Sequence, residues 1–413
     1  MTALAAVRGF KDILPDQAGL WRRVEEQARS VAARFGYVEL RPPLMEKTEL
    51  FQRGLGEATD VVEKEMYTME DRGGERLTLR PEATAGMVRA VLEHNLVEGG
   101  RPARLFCLGP MFRYERPQKG RLRQFHQLDV EVFRDPGPLI DAEVVLLLHS
   151  FLAELGLGDL QVVVNSLGCA SCRPQFRTEL ISWLTARQEN LCPDCRRRLT
   201  QNPLRVLDCK NEGCRQATAN GPTLSRHLCG PCREHFDGLV AALDLMGLNW
   251  VRDHRLVRGL DYYTRTAFEV HSSSLGSQNA VAGGGRYDGL CAQLGGPDVP
   301  AVGFAAGLER LVMLLAERHA PAPPGPDYYL APLCSEALDP GFKLAHQLRA
   351  RGLSVAADWE VGSLKSRLKR ADKLGAAKLI MLGPEELARR ETTIRDLAAK
   401  EQRALPLDDP GLY

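Results

Sequence analysis

Two stretches that alternate as strands do, Leu105 to Glu115 and Gln124 to Phe133, constrain this chain more than anything else in it. Alternation of period two is the signature of β-strands, and the polar connection between them, Arg116 to Arg123, makes a hairpin with a long basic loop. In the second strand Leu128, Val130 and Val132 share one face, while Phe125, Gln127, Asp129, Glu131 and Phe133 share the other. In the first, Met111, Arg113 and Glu115 oppose Phe112 and Tyr114. The connection carries Arg116, Lys119, Arg121 and Arg123 without an acid. Like charges crowded into one loop repel unless an anion offsets them, and the planar donor fork of arginine suits phosphate. The pattern points to a polyphosphate site on an antiparallel sheet. No Walker loop or dinucleotide fingerprint accompanies it, and Gly283 to Gly285 read as a tight turn or bulge.

The rest of the chain organises around this hairpin. Residues 17 to 36 carry Leu20, Val24, Ala28 and Val31 at helical spacing. An extended segment, Tyr37 to Leu40, runs into Pro42 and Pro43. Leu77 to Leu79 read as a strand, and Pro81 as the start of a helix stopped by Gly99 and Gly100. Strands are expected again at Ala267 to His271, near Ala280 and at Val302 to Phe304, the last leading through Gly307 into a helix. A Pro- and Ala-rich linker, Ala320 to Pro326, separates off a C-terminal stretch in which strands and helices alternate as in a small α/β domain. The expected domains are 1–320, an insertion within it at 168–250, and 326–413.

With 413 residues and a formal net charge of +1, no global field marks a nucleic-acid binder, so any such role rests on local patches. The N-terminus lacks the basic and apolar run of a signal peptide. The apolar stretch Ala142 to Leu157 is interrupted by His149, Ser150 and Glu154, so no membrane span is expected. A cytoplasmic protein is implied, in which the 11 cysteines are thiols or metal ligands rather than disulfides. Cys169 with Cys172, Cys192 with Cys195, and Cys229 with Cys232 form short-spaced pairs. Cys209 and Cys214 stand four residues apart in gap. Such knuckles suit tetrahedral zinc, either as two four-thiolate sites or as one site with four thiols left over. Cys107, Cys291 and Cys334 are expected to be buried apolar residues.

The motifs also carry a resemblance. "FRYERPQKGRLRQFHQLDVEVF", Phe112 to Phe133, resembles the second signature of class II aminoacyl-tRNA synthetases in its histidine-specific form. "AVGFAAGLERL", Ala301 to Leu311, resembles the third, and "FGYVELRPPLMEKTELF", Phe35 to Phe51, the first. "LVRGLDYYTRTAFEV", Leu256 to Val270, and "GGGRYDGL", Gly283 to Leu290, are similar to segments peculiar to the histidyl-tRNA synthetase family. "TLRPEAT", Thr78 to Thr84, matches apart from Ala83, where the family usually has glycine; the added methyl beside Glu82 takes up space next to the pocket but is expected to leave both side-chain contacts intact.

The resemblance implies an α+β catalytic domain on an antiparallel sheet, with a Cys-rich insertion and an anticodon-binding α/β domain. It implies ATP-dependent activation of L-histidine and transfer to tRNA(His). Arg113 and Arg258 would hold the α-phosphate and carboxylate, and Arg310 and Arg121 the outer phosphates, bridged by Mg²⁺. Glu115 and Phe125 would take the adenine. Glu82, Thr84 and Gln127 would meet the ammonium of histidine, and Glu131, Tyr263 and Tyr287 its imidazole. Arg116, Gln118 and Arg123 would face the tRNA acceptor end. Lys365, Arg367, Lys369, Arg370 and Lys373 form a second basic cluster on the C-terminal domain. The first motif, with Pro43, implies a homodimer. The competing reading is a non-catalytic paralogue, the regulatory subunit of ATP phosphoribosyltransferase, which shares the fold but usually lacks the C-terminal domain and the Arg258 segment.

Overall fold

In the computed structural model the alternating stretches form the hairpin at the centre of an eight-stranded sheet. The structure describes residues 4–56, 59–118, 120–260, 262–272, 280–317 and 325–409. Lys119 and most of the Pro/Ala linker lie outside them. Two compact units, Met1–Ala320 and Pro321–Tyr413, are each described by themselves.

The strands of the first unit are β1 (Val38–Glu39), β2 (Met45–Lys47), β3 (Tyr67–Glu70), β4 (Arg76–Leu79), β5 (Ala103–Phe112), β6 (Gln124–Phe133), β7 (Leu160–Ser166), β8 (Trp250–Arg252), β9 (Thr264–Ser272), β10 (Ala280–Arg286) and β11 (Ala301–Gly307). The main sheet runs β1-β5-β6-β11-β10-β9-β7-β8, and β2-β4-β3 form a small sheet of their own. From β5 to β7 every pairing is antiparallel; only the edge pairs β1–β5 and β7–β8 are parallel.

Leu128, Val130 and Val132 pack under the sheet against Val24 and Val31 of the Pro15–Arg34 helix and Val144, Leu148 and Phe151 of the Pro138–Glu154 helix. The opposite face is not left to solvent, because Asp129, Glu131 and Phe133 are buried too. The alternation therefore separates two interiors, one apolar and one mixed. β5 ends at Phe112, short of Arg113 and Glu115, although the Arg113 amide still donates to the Arg123 carbonyl at 2.8 Å.

The helix expected from Pro81 starts at Thr84, because the Glu82 carboxylate accepts from the amides of Thr84 (2.9 Å) and Ala85 (2.8 Å) and so caps it there. It ends at Glu93, before the glycines. Ala83 is buried among Met87, Val88 and their neighbours, so its methyl fills the core rather than the pocket. Of the two readings of Gly283 to Gly285 the bulge holds and the turn does not: they lie inside β10, with a register shift at Gly285/Arg286. A Cβ on Gly284 would stand 2.0 Å from the Gly303 carbonyl oxygen, so the strands approach too closely for any side chain.

Between β7 and β8 the chain forms the helices Arg173–Thr185, Pro193–Gln201, Glu212–Ala219 and Gly230–Leu245. No helix among the described residues is long and apolar enough to cross a membrane.

The second unit holds β12 (Tyr328–Pro332), β13 (Val355–Ala357), β14 (Lys378–Leu382), β15 (Glu391–Asp396) and β16 (Gln402–Pro406), ordered β13-β12-β14-β15-β16. The first three are parallel, with the Leu338–Ala350 and Leu364–Lys373 helices crossing between them. Arg367 does not join a basic surface. It is buried, donating to Asp358 at 2.8 Å and to the Tyr329 hydroxyl at 3.3 Å, whereas Lys365, Lys369, Arg370 and Lys373 are exposed. Cys334 is half-buried, unlike Cys107 and Cys291, which are buried as expected.

Candidate active site

Because β6 and β10 neighbour β11 on either side, residues far apart in sequence line one surface. Two adjoining cavities open on it. The first is lined by Arg113, Glu115, Arg121, Phe125, Glu269 and Arg310, among others. The second is lined by Glu82, Thr84, Asp129, Glu131, Tyr263 and Tyr287, among others. Arg113, Gln127 and Arg258 border both.

The first cavity is cationic. The Arg113 guanidinium donates to the Pro81 carbonyl at 2.8 Å and lies over the Phe125 ring at 5.3 Å. Arg310 is anchored to the Ala280 carbonyl, and both burial and the neighbouring Arg121 charge press its pKa down. Cations held together in this way favour an anionic occupant. Arg258 donates to Glu269 at 2.6 Å, and Glu269 also meets His271 at 2.9 Å. Burial opposes the Arg258 charge, but Tyr263 and Glu269 outweigh it and its pKa stands raised. A Cβ on Gly283 would sit 2.6 Å from Arg258 Nη1, so this glycine is what admits the guanidinium to the sheet surface.

Arg121 donates to Glu115 at 3.2 Å, so the loop read as free of acid is partly neutralised by the residue at its base. Arg123 is likewise engaged, with its Nε donating to the Glu115 carbonyl at 3.2 Å and its guanidinium 3.8 Å from the Tyr114 ring centre. Arg116 and Gln118 are exposed, and Gln118 pairs with Arg121 in a tight turn.

The second cavity is carboxylate-rich and walled by tyrosines. Thr84 donates its hydroxyl to Glu131 Oε1 at 2.6 Å, and the Tyr287 hydroxyl donates to Glu131 Oε2. Tyr262 packs against both Tyr263, at 4.7 Å between ring centres, and Tyr287, at 5.4 Å. Burial raises the pKa of Asp129 and of Glu131 well above the carboxylate range, with the Glu82 charge adding to Asp129 and the Asp129 charge to Glu131. Gln127 Oε1, Asp129 Oδ2 and Arg258 Nε are buried without a hydrogen-bond partner. Acceptors orphaned on one wall of a cavity are what a cationic ligand would satisfy. Asp129, Tyr262 and Glu269 had no assigned role in the sequence reading. Alternation had already put Asp129 beside Gln127 and Glu131, whereas nothing local marked Glu269 as the partner of Arg258.

The eight insertion cysteines gather into Cys169, Cys172, Cys229 and Cys232, and Cys192, Cys195, Cys209 and Cys214, with all sulfurs of each set within 4.8 Å of one another. Cys169 lies 3.7 Å from Cys172 and 3.9 Å from Cys229, and Cys192 3.9 Å from Cys209, sulfur to sulfur. A tetrahedron with zinc–sulfur bonds of about 2.3 Å has edges of about 3.8 Å, so both sets fit such an ion. Backbone amides of Cys229 and Cys192 donate to Cys172 and Cys214 sulfurs at 3.2 Å, as knuckles do.

An antiparallel sheet presenting an arginine-lined cavity beside one walled by carboxylates and tyrosines is the arrangement of a class II aminoacyl-tRNA synthetase. Residues 9–311 match the model of the family described as histidyl-tRNA synthetase, and 327–410 that of the anticodon binding domain. A histidine–tRNA ligase of Nitratidesulfovibrio vulgaris strain DP4 is 50% identical over 409 residues, covering 99% of this chain and 97% of its own. Among solved structures, apo histidyl-tRNA synthetase of S. aureus is 32% identical with a TM-score of 0.83 and 98% of both chains covered. An ATP phosphoribosyltransferase regulatory subunit/histidyl-tRNA synthetase from Bacillus halodurans, 21% identical with a TM-score of 0.66 over 92% of this chain and 98% of its own, shares the fold. The chain belongs to the histidyl-tRNA synthetase family.

Proposed function

We propose that the two cavities carry out the reaction of this family, activating L-histidine with ATP and passing it to tRNA(His). The observation that carries the assignment of parts is the shared border, Arg113, Gln127 and Arg258, where an amino-acid carboxylate and the α-phosphate would meet. A histidine carboxylate oxygen attacks the α-phosphorus, the bond to the β-phosphate oxygen breaks, and pyrophosphate leaves. A terminal ribose hydroxyl of tRNA then attacks the activated carbonyl and AMP leaves. Arg113 and Arg258 meet the charge that builds on the α-phosphate, and fixed donors aimed at developing charge lower the barrier. Arg121 and Arg310 hold the outer phosphates of the magnesium–ATP substrate, Glu115 accepts from the adenine amino group, and Phe125 stacks on its ring.

In the second cavity Glu82, Thr84 and Gln127 receive the ammonium, while Glu131, Tyr263 and Tyr287 receive the imidazole. Arg116, Gln118 and Arg123 face the acceptor end of tRNA. Histidine-dependent exchange of pyrophosphate into ATP is the test. Arg258→Ala lowers its kcat on the order of 10²–10³-fold, and intact protein without exchange would overturn the reading. Relatives that are ligases over nearly their whole length, together with the C-terminal anticodon-binding match, favour this over the regulatory-subunit alternative.

Each four-cysteine set holds one structural zinc, supported by the sulfur geometry. The protein works in the cytoplasm as a homodimer. Exposed Val38, Leu44 and Met45 beside exposed Pro43 support a covered face on the first-motif segment. Light scattering giving twice the 45.7 kDa chain mass is the expected result, and a monomer at micromolar concentration contradicts it.

A further inference from the structure

The segment Leu256–Tyr263, which brings Arg258, Tyr262 and Tyr263 to the cavities, is tied to residues that flank the cysteine sets. The Leu167 amide donates to the Arg265 carbonyl, and the Arg265 amide donates to the Gly168 carbonyl at 2.8 Å. Cys169 is therefore the next residue after a two-way backbone pair with Arg265 of β9, two residues beyond this segment. Gly168 has φ +59°, and a Cβ there would stand 2.8 Å from Cys172 Cβ, so the knuckle closes this tightly only on glycine.

Arg173 follows Cys172 directly. Its Nε donates to the Leu167 carbonyl at 3.1 Å and its Nη2 donates to the Tyr263 carbonyl. From the side of the second set, Arg205 donates Nη1 to the Gly259 carbonyl at 2.9 Å. Arg255, at the entry of the segment, donates to the carbonyls of Leu207 at 3.2 Å and Arg215 at 3.3 Å, residues that bracket Cys209 and Cys214. A donor fixes a loop only as well as its own backbone is fixed, and short irregular segments between small helices take their rigidity from cross-links or metal.

We propose that the two thiolate sets, when loaded with zinc, brace the Leu256–Tyr263 segment through Arg173 and Arg205, so that metal occupancy in the insertion sets the affinity for histidine. The proposal rests on the zinc reading and on the role of this segment in binding histidine. Arg173 and Arg205 are positioning residues, since they hold main-chain carbonyls rather than substrate.

The experiment uses the full chain. Zinc is counted by emission spectroscopy, and histidine and ATP are titrated separately in the exchange reaction. The proteins compared are the intact form, Arg173→Ala, Arg205→Ala, Arg205→Lys and protein stripped with a chelator under reducing conditions. About two zinc ions per chain are expected, four thiolates to each.

Both alanine variants keep their zinc and their melting temperature but raise the KM for histidine roughly three- to tenfold, the loss of one charge-assisted hydrogen bond. The KM for ATP moves less than twofold, and Arg205→Lys recovers part of the loss. Stripped protein shows the same rise and faster tryptic cleavage after Arg258, and zinc reverses both. Zinc present with an unchanged histidine KM in both alanine variants overturns the brace while leaving the metal sites standing. Protein isolated without zinc overturns the metal reading itself, and the proposal with it. Because the arginine variants retain their cysteines, they decide the matter even if stripping unfolds the insertion.

Discussion

A methyl group on Gly303 would stand 1.7 Å from Glu131 Oε2, so the amino-acid cavity exists only because β11 has no side chain opposite that carboxylate. The carboxylate reaches this position at an electrostatic cost. Asp129 and Glu131 share a buried wall, and their pKa values stand well above the ordinary range, chiefly through burial. A carboxyl whose pKa is raised by burial takes up its proton at a higher pH than an ordinary one, and a neutral carboxyl attracts an ammonium group only weakly. Histidine binding therefore weakens toward acid, and a bound cation, favouring the ionised form, pulls these pKa values back down. The free imidazole of the substrate itself titrates near 6.5, so the comparison must be internal. In the exchange reaction, Asp129→Asn raises the KM for histidine at pH 8.5, and its KM climbs less steeply than that of the intact protein down to pH 6.5. Parallel slopes for the two proteins would remove Asp129 from the account.

At the scale of elements, β10 is joined to two helices by a charge network centred on the fully buried Arg286–Asp141 pair. Arg286, fully buried, donates to Asp141 of the Pro138–Glu154 helix, to Asp288 and to the Asp135 carbonyl at 3.0 Å each for the last two, and to the Gly137 carbonyl at 3.1 Å. His235, from the Gly230–Leu245 helix, reaches Asp141 at 2.8 Å. Burial opposes the Asp141 charge, but His235 and Arg286 outweigh it and hold its carboxyl below the usual range. Arg286→Met strands that charge, which costs about 3–5 kcal/mol and should lower the melting temperature by roughly 10 °C. Arg286→Met with Asp141→Leu removes both fully buried charges together, so the double variant melts above the single one; a double variant no more stable than the single would refute the network.

The charge network was not legible in "GGGRYDGL", where three glycines read as a tight turn or bulge and only the bulge is present. A strand without side chains has no period, and the partners of Arg286 lie on other elements. The hairpin was legible because its alternation is local and strong. β15 and β16 were not, since Glu391–Asp396 and Gln402–Pro406 mix charged and apolar residues without a clean face. Alternation also set Gln127 and Glu131 on one face. What no spacing disclosed was that Arg258 would lie beside Arg113, because their meeting depends on the order of strands in the sheet.

For the molecule as a whole, a net charge of +1 makes tRNA binding a matter of where charge is placed. The cysteine region and the C-terminal unit are both rich in arginine and lysine, yet the structure sorts these into engaged and free-standing groups. Within the second unit Arg367 is committed to Asp358 and Tyr329, and Arg370 also lies 3.6 Å from Asp358, whereas Lys365, Lys369 and Lys373 point outward from the Leu364–Lys373 helix. If that face takes tRNA phosphates, its lysines act additively and through released counterions. Lys365→Ala with Lys369→Ala then raises the KM for tRNA(His) and flattens the dependence of log K on log salt by about one to two. Histidine-dependent pyrophosphate exchange stays unchanged, because every residue lining the two cavities belongs to Met1–Ala320. Arg367→Ala behaves differently, leaving Asp358 short of its buried partner and lowering the stability of the second unit. A salt slope unmoved by the double lysine variant would show that this helix does not meet the RNA.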